Sequence, residues 1–185
     1  MAAVALVLTA CGTGTETPAG TTPPAPTTAT STGAPSPDSS GTASAPAADV
    51  PALLKFTGTT LNGKAFDGTE LAGSPVVLWF WAPWCPKCQA EGPAVAKTAK
   101  KYGDKVRFVG IAGLDKSKDQ MAKFVDRTGT AGLVHLDDRS GALYKHFKVT
   151  SQSSYLFVSP DGRTESATGP LDDKELSALI DQHTA

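Results

Sequence analysis

The sequence predicts an α/β domain, a central mixed sheet flanked by helices and preceded by a β-hairpin. Three observations carry this. Apolar runs that read as strands alternate with stretches of helical periodicity, in the order ββ-β-α-β-α-(β)-α-β-β-α. The run PVVLWFW at 75–81 is apolar throughout, as a strand covered on both faces must be. Asn62-Gly63 and Pro160-Asp161-Gly162 each separate two strand-like segments, and both are turn signals.

The elements follow in order. Residues 54–60 and 64–67 form the first hairpin around Asn62-Gly63. The strand at 75–81 leads into a helix over 86–102, where Cys88, Glu91, Gly92, Val95, Ala99 and Tyr102 recur on one face. A second apolar strand spans 106–112. A helix at 116–128 places Met121, Phe124 and Val125 inward. A short strand at 133–136 precedes a short helix at 140–147. Asp137-Asp138, followed by Arg139-Ser140, reads as that helix's cap rather than as a metal site. Residues 155–159 and 163–167 pair as a hairpin, and 171–182 is a terminal helix with Leu176, Leu179 and Ile180 inward.

Composition divides the chain of 185 residues into three parts. Residues 12–49 are nearly all Thr, Ala, Pro, Ser and Gly. With no large apolar side chain to offset the entropy of ordering, they read as a disordered linker that its prolines stiffen. Residues 50–185 are long enough to build a core. Residues 1–11, MAAVALVLTAC, are an apolar run ending in Leu8-Thr9-Ala10-Cys11. This resembles a bacterial lipobox, in which cleavage precedes a lipid-bearing cysteine, although the basic n-region of a secretory signal is missing. The segment therefore reads as a signal-peptide remnant with Cys11 as the lipidation site. That places the domain on the extracytoplasmic face of the cell membrane, where disulfides persist. The 17 basic and 18 acidic residues are balanced, and no basic stripe argues for nucleic acid as a partner.

The segment WAPWCPKCQAEGP at 81–93 carries the chemistry. Cys85 and Cys88 stand three positions apart where a strand gives way to a helix. A helix N-terminus has unpaired N–H groups and a partial positive charge, so a sulfur there ionises readily. Pro86 suits the first turn, where a missing N–H costs nothing. The pattern makes Cys85 the more exposed sulfur and the attacking one, with Cys88 the resolving one. Lys87 adds a nearby cation. Two other readings compete. A zinc site needs about four ligands, and beyond this pair the chain offers only Cys11 and the scattered His135, His146 and His183. A purely structural disulfide across so short a loop restrains little chain entropy.

The segment FWAPWCPKC at 80–88, with Pro93 further along the helix, resembles the thioredoxin active-site segment. The lipobox, linker, hairpin and FVGIA strand at 108–112 narrow the likeness to secreted TlpA/DsbE-type thiol–disulfide oxidoreductases, and within them to the lipid-anchored actinobacterial DsbF-like proteins. The resemblance implies a thioredoxin fold with an extra N-terminal hairpin. It also implies a redox-active Cys85–Cys88 pair and no small-molecule cofactor or metal. The partners it implies are exported cysteine-containing proteins and a membrane redox protein that recycles the couple. Trp84 would shield the disulfide and offer partners an apolar surface.

Two departures from the family pattern stand out. Trp79 occupies the strand position where cytoplasmic thioredoxins carry an acid. Glu91, three residues after Cys88 on the same helical face, is the candidate replacement and would take the Cys88 proton during resolution. The loop facing the cysteines has no proline where the family places a cis-proline, and the vacancy falls on Ser153, with Ser154 as the fallback. Because a cis bond before a non-proline residue costs about 2.5–4 kcal/mol, the expectation at Gln152–Ser153 is trans. Gln152 and Ser153 are the candidate substrate contacts.

The function read from the sequence is extracytoplasmic disulfide exchange with exported proteins, running as an oxidant. Its rivals are a reductase for cytochrome c assembly, a peroxide-reducing enzyme and a binding module with vestigial thiols.

Overall fold

The computed structural model describes residues 50–184; the lipobox, Cys11 and the linker at 12–49 lie outside the described residues. Pro51 leads into a 3-10 turn at Ala52–Leu54, so the first strand is shorter than the 54–60 pattern suggests. β1 is Thr57–Thr59 and pairs antiparallel with β2, Ala65–Asp67, across the Asn62-Gly63 turn, where Gly63 takes φ 88°. Outside this ladder Thr60 bridges Leu136, and the Leu61 N–H donates to the His135 carbonyl (2.9 Å), which ties the hairpin to the main sheet.

That sheet has five strands. β3 (Val76–Trp81), β4 (Arg107–Gly113), β5 (Val134–Asp138), β6 (Ser154–Val158) and β7 (Thr164–Thr168) run in the order β5-β4-β3-β6-β7. β3 pairs parallel with β4 and antiparallel with β6, so the sheet is mixed, as the element order implies. All six β3 residues are buried. Their side chains alternate between two clusters, as the two-residue period of a strand requires. Val77, Trp79 and Trp81 face Val95, Phe124, Leu176 and Ile180. These belong to the helices α1 (Pro86–Tyr102), α2 (Lys118–Thr128) and α4 (Asp173–His183). Val76, Leu78 and Phe80 face Leu54, Phe56, Leu143 and Tyr144, from the N-terminal segment and α3 (Ala142–His146). Each such large apolar side chain contributes about 1.5–3 kcal/mol by leaving water.

The helix ends follow local chemistry. Asp138, at the end of β5, accepts from the Leu143 and Tyr144 N–H groups (3.0 and 2.9 Å) and so caps α3, while Asp137 pairs with Arg139 (2.8 Å). Asp172 and Glu175 form a reciprocal capping box at the start of α4. α1 runs unbroken through Pro93. Among the described residues no helix is long and apolar enough to cross a membrane.

Candidate active site

β3 ends at Trp81, and the chain turns sharply, with the Cys85 N–H donating to the Ala82 carbonyl (3.1 Å). Cys85 is the N-cap of α1: its backbone is extended, and its sulfur accepts from the Cys88 N–H at 3.2 Å. Pro86 fills the first helical position, where it forfeits no hydrogen bond. Cys85 and Cys88 are joined as a disulfide, their Cα atoms 5.3 Å apart. The first sulfur therefore sits on the positive end of the helix. Both cysteines are nevertheless buried, Cys85 at 3% and Cys88 at 0% exposure, so the expected difference in exposure is small.

The rim of the site is exposed. Trp84 is 52% accessible, and its indole N–H donates to the Leu114 carbonyl (2.9 Å). Leu114 is itself 45% accessible and adopts a left-handed backbone, φ 57°. Pro86 and Lys87 are exposed beside them.

Beneath the rim lies a polar cluster. Glu91, one turn beyond Cys88, is buried at 2% exposure. Its Oε1 accepts from Trp79 Nε1 at 2.7 Å and from the Ser153 hydroxyl, and its Oε2 accepts from the Leu171 N–H at 3.1 Å. Burial pushes the Glu91 carboxyl above its ordinary range; the bonds from Trp79 and Leu171, and the charge of Lys87, pull it back. The Tyr155 hydroxyl lies buried against the same carboxylate without completing a hydrogen bond of ordinary geometry. Burial, with the Glu91 charge, holds its pKa well above that of a free phenol.

The Gln152–Ser153 bond is cis, which corrects the trans expectation. Ser153 is held on both sides in this position: its carbonyl accepts from the Gly169 N–H (3.0 Å), and its hydroxyl reaches Glu91. These tertiary contacts override the local preference. Ser153 is also fully buried and turned inward, so its side chain is not presented to a partner; Gln152 beside it is half-buried. Sequence reasoning also missed three contributors. Trp79, noted in the sequence only for standing where cytoplasmic thioredoxins carry an acid, turns its indole N–H to Glu91. Tyr155 carried no signal beyond strand periodicity. Gly169 approaches so closely that a Cβ there would overlap Glu91 Oε2 and stand 3.0 Å from Ser153 Oγ.

His135 is not part of the site. It is buried, its Nδ1 accepts from Trp81 Nε1 (3.2 Å), and its Nε2 lies 3.0 Å from the Thr130 carbonyl, which fixes the proton on Nε2. Burial lowers its pKa to about 4. Among the described residues no three His, Cys, Asp or Glu side chains gather in a metal-binding group.

Comparison with known proteins agrees with this geometry. The family model described as Redoxin matches residues 32–166. The soluble secreted antigen MPT53 of Mycobacterium tuberculosis is 37% identical over 130 residues, covering 69% of this chain and 73% of that protein. The solved structure of MTB dsbF in mixed oxidized and reduced forms superposes with a TM-score of 0.69 at 41% identity, covering 72% of this chain and 98% of that one. A secreted Mycobacterium tuberculosis disulfide oxidoreductase, described as homologous to E. coli DsbE, gives a TM-score of 0.66 at 36% identity, over 70% and 97% of the two chains. With a helix-capping disulfide, a thioredoxin fold and an added hairpin, the chain belongs to the Redoxin family and is a thioredoxin-like thiol–disulfide oxidoreductase.

Proposed function

We propose that this protein exchanges disulfides with exported, cysteine-containing proteins outside the cytoplasm and runs as their oxidant. The observation that carries the reading is the position of Cys85, whose sulfur caps α1 and accepts a backbone N–H. That setting favours a Cys85 thiolate, and a couple whose reduced form is so favoured is oxidising. The secreted character of the relatives supports an extracytoplasmic site of action. The Cys11 lipobox supports a lipid anchor, and a membrane redox partner then returns the couple to the disulfide form.

In the oxidative direction a substrate thiolate attacks Cys85 Sγ and the Cys85–Cys88 bond breaks. Cys88 leaves as a thiolate and takes up a proton from Glu91. A second substrate thiolate then attacks the substrate sulfur of the mixed disulfide and releases Cys85 as a thiolate. Two electrons pass from the substrate to the protein, and no further cofactor is required. Run in reverse, Glu91 accepts the Cys88 proton as Cys88 resolves the mixed disulfide. Trp84, Pro86 and Lys87, exposed around the start of α1, and the half-buried Gln152 are the residues assigned to contact with the partner chain. Ser153, fully buried, is not among them.

The reading is tested by the reduction potential of the Cys85–Cys88 couple. A value near −120 mV marks an oxidant, whereas one near −270 mV marks a reductant and overturns the direction. Cys85→Ser should abolish oxidative refolding of a reduced substrate, and Cys88→Ser should accumulate mixed disulfide. Glu91→Gln should slow resolution while sparing the first attack of reduced protein on a disulfide substrate; equal rates in mutant and parent would remove Glu91 from the mechanism.

A further inference from the structure

The carboxyl of Glu91 has four polar neighbours, and they differ in what they can do. The Trp79 indole and the Leu171 backbone offer N–H groups, which donate and never accept. They suit a carboxylate and give no partner to the O–H of a carboxylic acid. The Tyr155 hydroxyl can donate and accept but completes no bond of ordinary geometry. The Ser153 hydroxyl does bond Glu91, and it also lies 3.2 Å from Trp79 Nε1. A hydroxyl donates to a carboxylate and, after rotating, accepts from the protonated acid. Proline at this position would offer neither.

The serine is also fixed in place. It is fully buried, and its carbonyl accepts from the Gly169 N–H at 3.0 Å. Gly169 crowds the far side of the carboxyl, leaving no room for even a methyl group. The charged and titratable groups facing Glu91 are Lys87, from the same helix, and Tyr155, from β6. Lys87 acts on Glu91 through its charge, and the Tyr155 hydroxyl completes no hydrogen bond to it.

We infer that Ser153 is a positioning residue whose hydroxyl holds Glu91 in both protonation states and so sets the pH at which Glu91 exchanges its proton. The kinetic consequence rests on Glu91 handling the Cys88 proton, as proposed above; the clamp itself does not. Hydrogen bonds to an ionised carboxylate are stronger than those to the neutral acid. Removing the hydroxyl therefore harms the anion more, and the midpoint rises.

The experiment uses the full chain in its oxidised form with carbon-13-labelled glutamate. The Glu91 carboxyl carbon is followed by NMR through a pH titration in the parent, Ser153→Ala and Ser153→Thr. The expected result is an upward displacement of about one pH unit in Ser153→Ala. Ser153→Thr, which restores a hydroxyl, should return the midpoint to that of the parent. An unmoved midpoint in Ser153→Ala overturns the inference. So does an equal displacement in both variants, which would report packing rather than the hydroxyl. Should either variant lose its fold, the infrared band of protonated Glu91 in the parent, isolated by difference from Glu91→Gln, carries the test. A hydrogen-bonded acid band supports the clamp, and a free-acid band overturns it. The two ideas fail separately. If Glu91→Gln leaves resolution unchanged, the kinetic role of Glu91 falls while the titration still reports on Ser153. If Glu91→Gln slows resolution and Ser153→Ala leaves the midpoint in place, the clamp alone falls.

Discussion

His135 is held neutral by burial, with its folded pKa lowered to about 4 from an ordinary 6.5. Below pH 6.5 the unfolded chain takes up a proton that the native state refuses. Stability should therefore fall as the pH drops from 6.5 towards 4, by roughly 3 kcal/mol across that interval. Urea unfolding at several pH values should show this slope in the parent and lose most of it in His135→Asn. Glu91 works in the opposite sense, because its carboxyl is raised. The folded state keeps the Glu91 proton to a higher pH than the unfolded chain does, so this group costs stability as the pH rises through its folded pKa. The two residues differ in purpose. His135 is braced by Trp81 and Thr130 and belongs to the core. Glu91 is buried beside the redox pair, and its cost at neutral pH is what a proton-exchanging acid must carry.

At the scale of elements, caps fix where helices start, and the start of α1 is where the chemistry sits. α4 shows the energetic side of the same device. Asp172 accepts from the Lys174 and Glu175 N–H groups, both at 2.8 Å, and Glu175 returns a bond to the Asp172 N–H at 2.9 Å. Asp172→Ala should lower stability by about 1 kcal/mol, read as a shift in the urea midpoint with the slope unchanged. α1 was legible from sequence alone to its ends, because Pro86 opens it, Gly103 follows it, and its apolar face repeats cleanly. The strand at 76–81 was equally plain from six consecutive apolar residues. The first hairpin was legible in kind but not in length, since the 3-10 turn at Ala52–Leu54 follows from how Pro51 enters the fold. The cysteines and Glu91 could be picked out because one helix carries them at fixed spacing. Trp79, Ser153, Tyr155 and Gly169 could not be assembled around Glu91, because strand, loop and sheet pairing bring them together across 74 residues or more from Trp79 to the rest of the group. The peptide geometry at Gln152–Ser153 escaped for the same reason: tertiary bonds decide it, and a local preference pointed the other way.

For the whole molecule, the redox state and the folding equilibrium are linked. If the dithiol form is favoured by the helix end it caps, the disulfide form must be the less stable fold. Each 30 mV of oxidising potential relative to the same couple in the unfolded chain corresponds to about 1.4 kcal/mol. The reduced protein should therefore unfold at a higher denaturant concentration than the oxidised one; the reverse order would argue for a reductant. The hairpin added ahead of the sheet has a different consequence. Thr60 and Leu61 occupy the outer flank of β5 at its middle. In the five-stranded sheet β7 leaves its outer flank without a neighbouring strand, whereas β5 meets Thr60 and Leu61 at its middle. A fibril growing by strand addition needs two vacant borders on every molecule. With the middle of the β5 border already met from within the chain, strand addition to the main sheet is obstructed there and left to the β7 border.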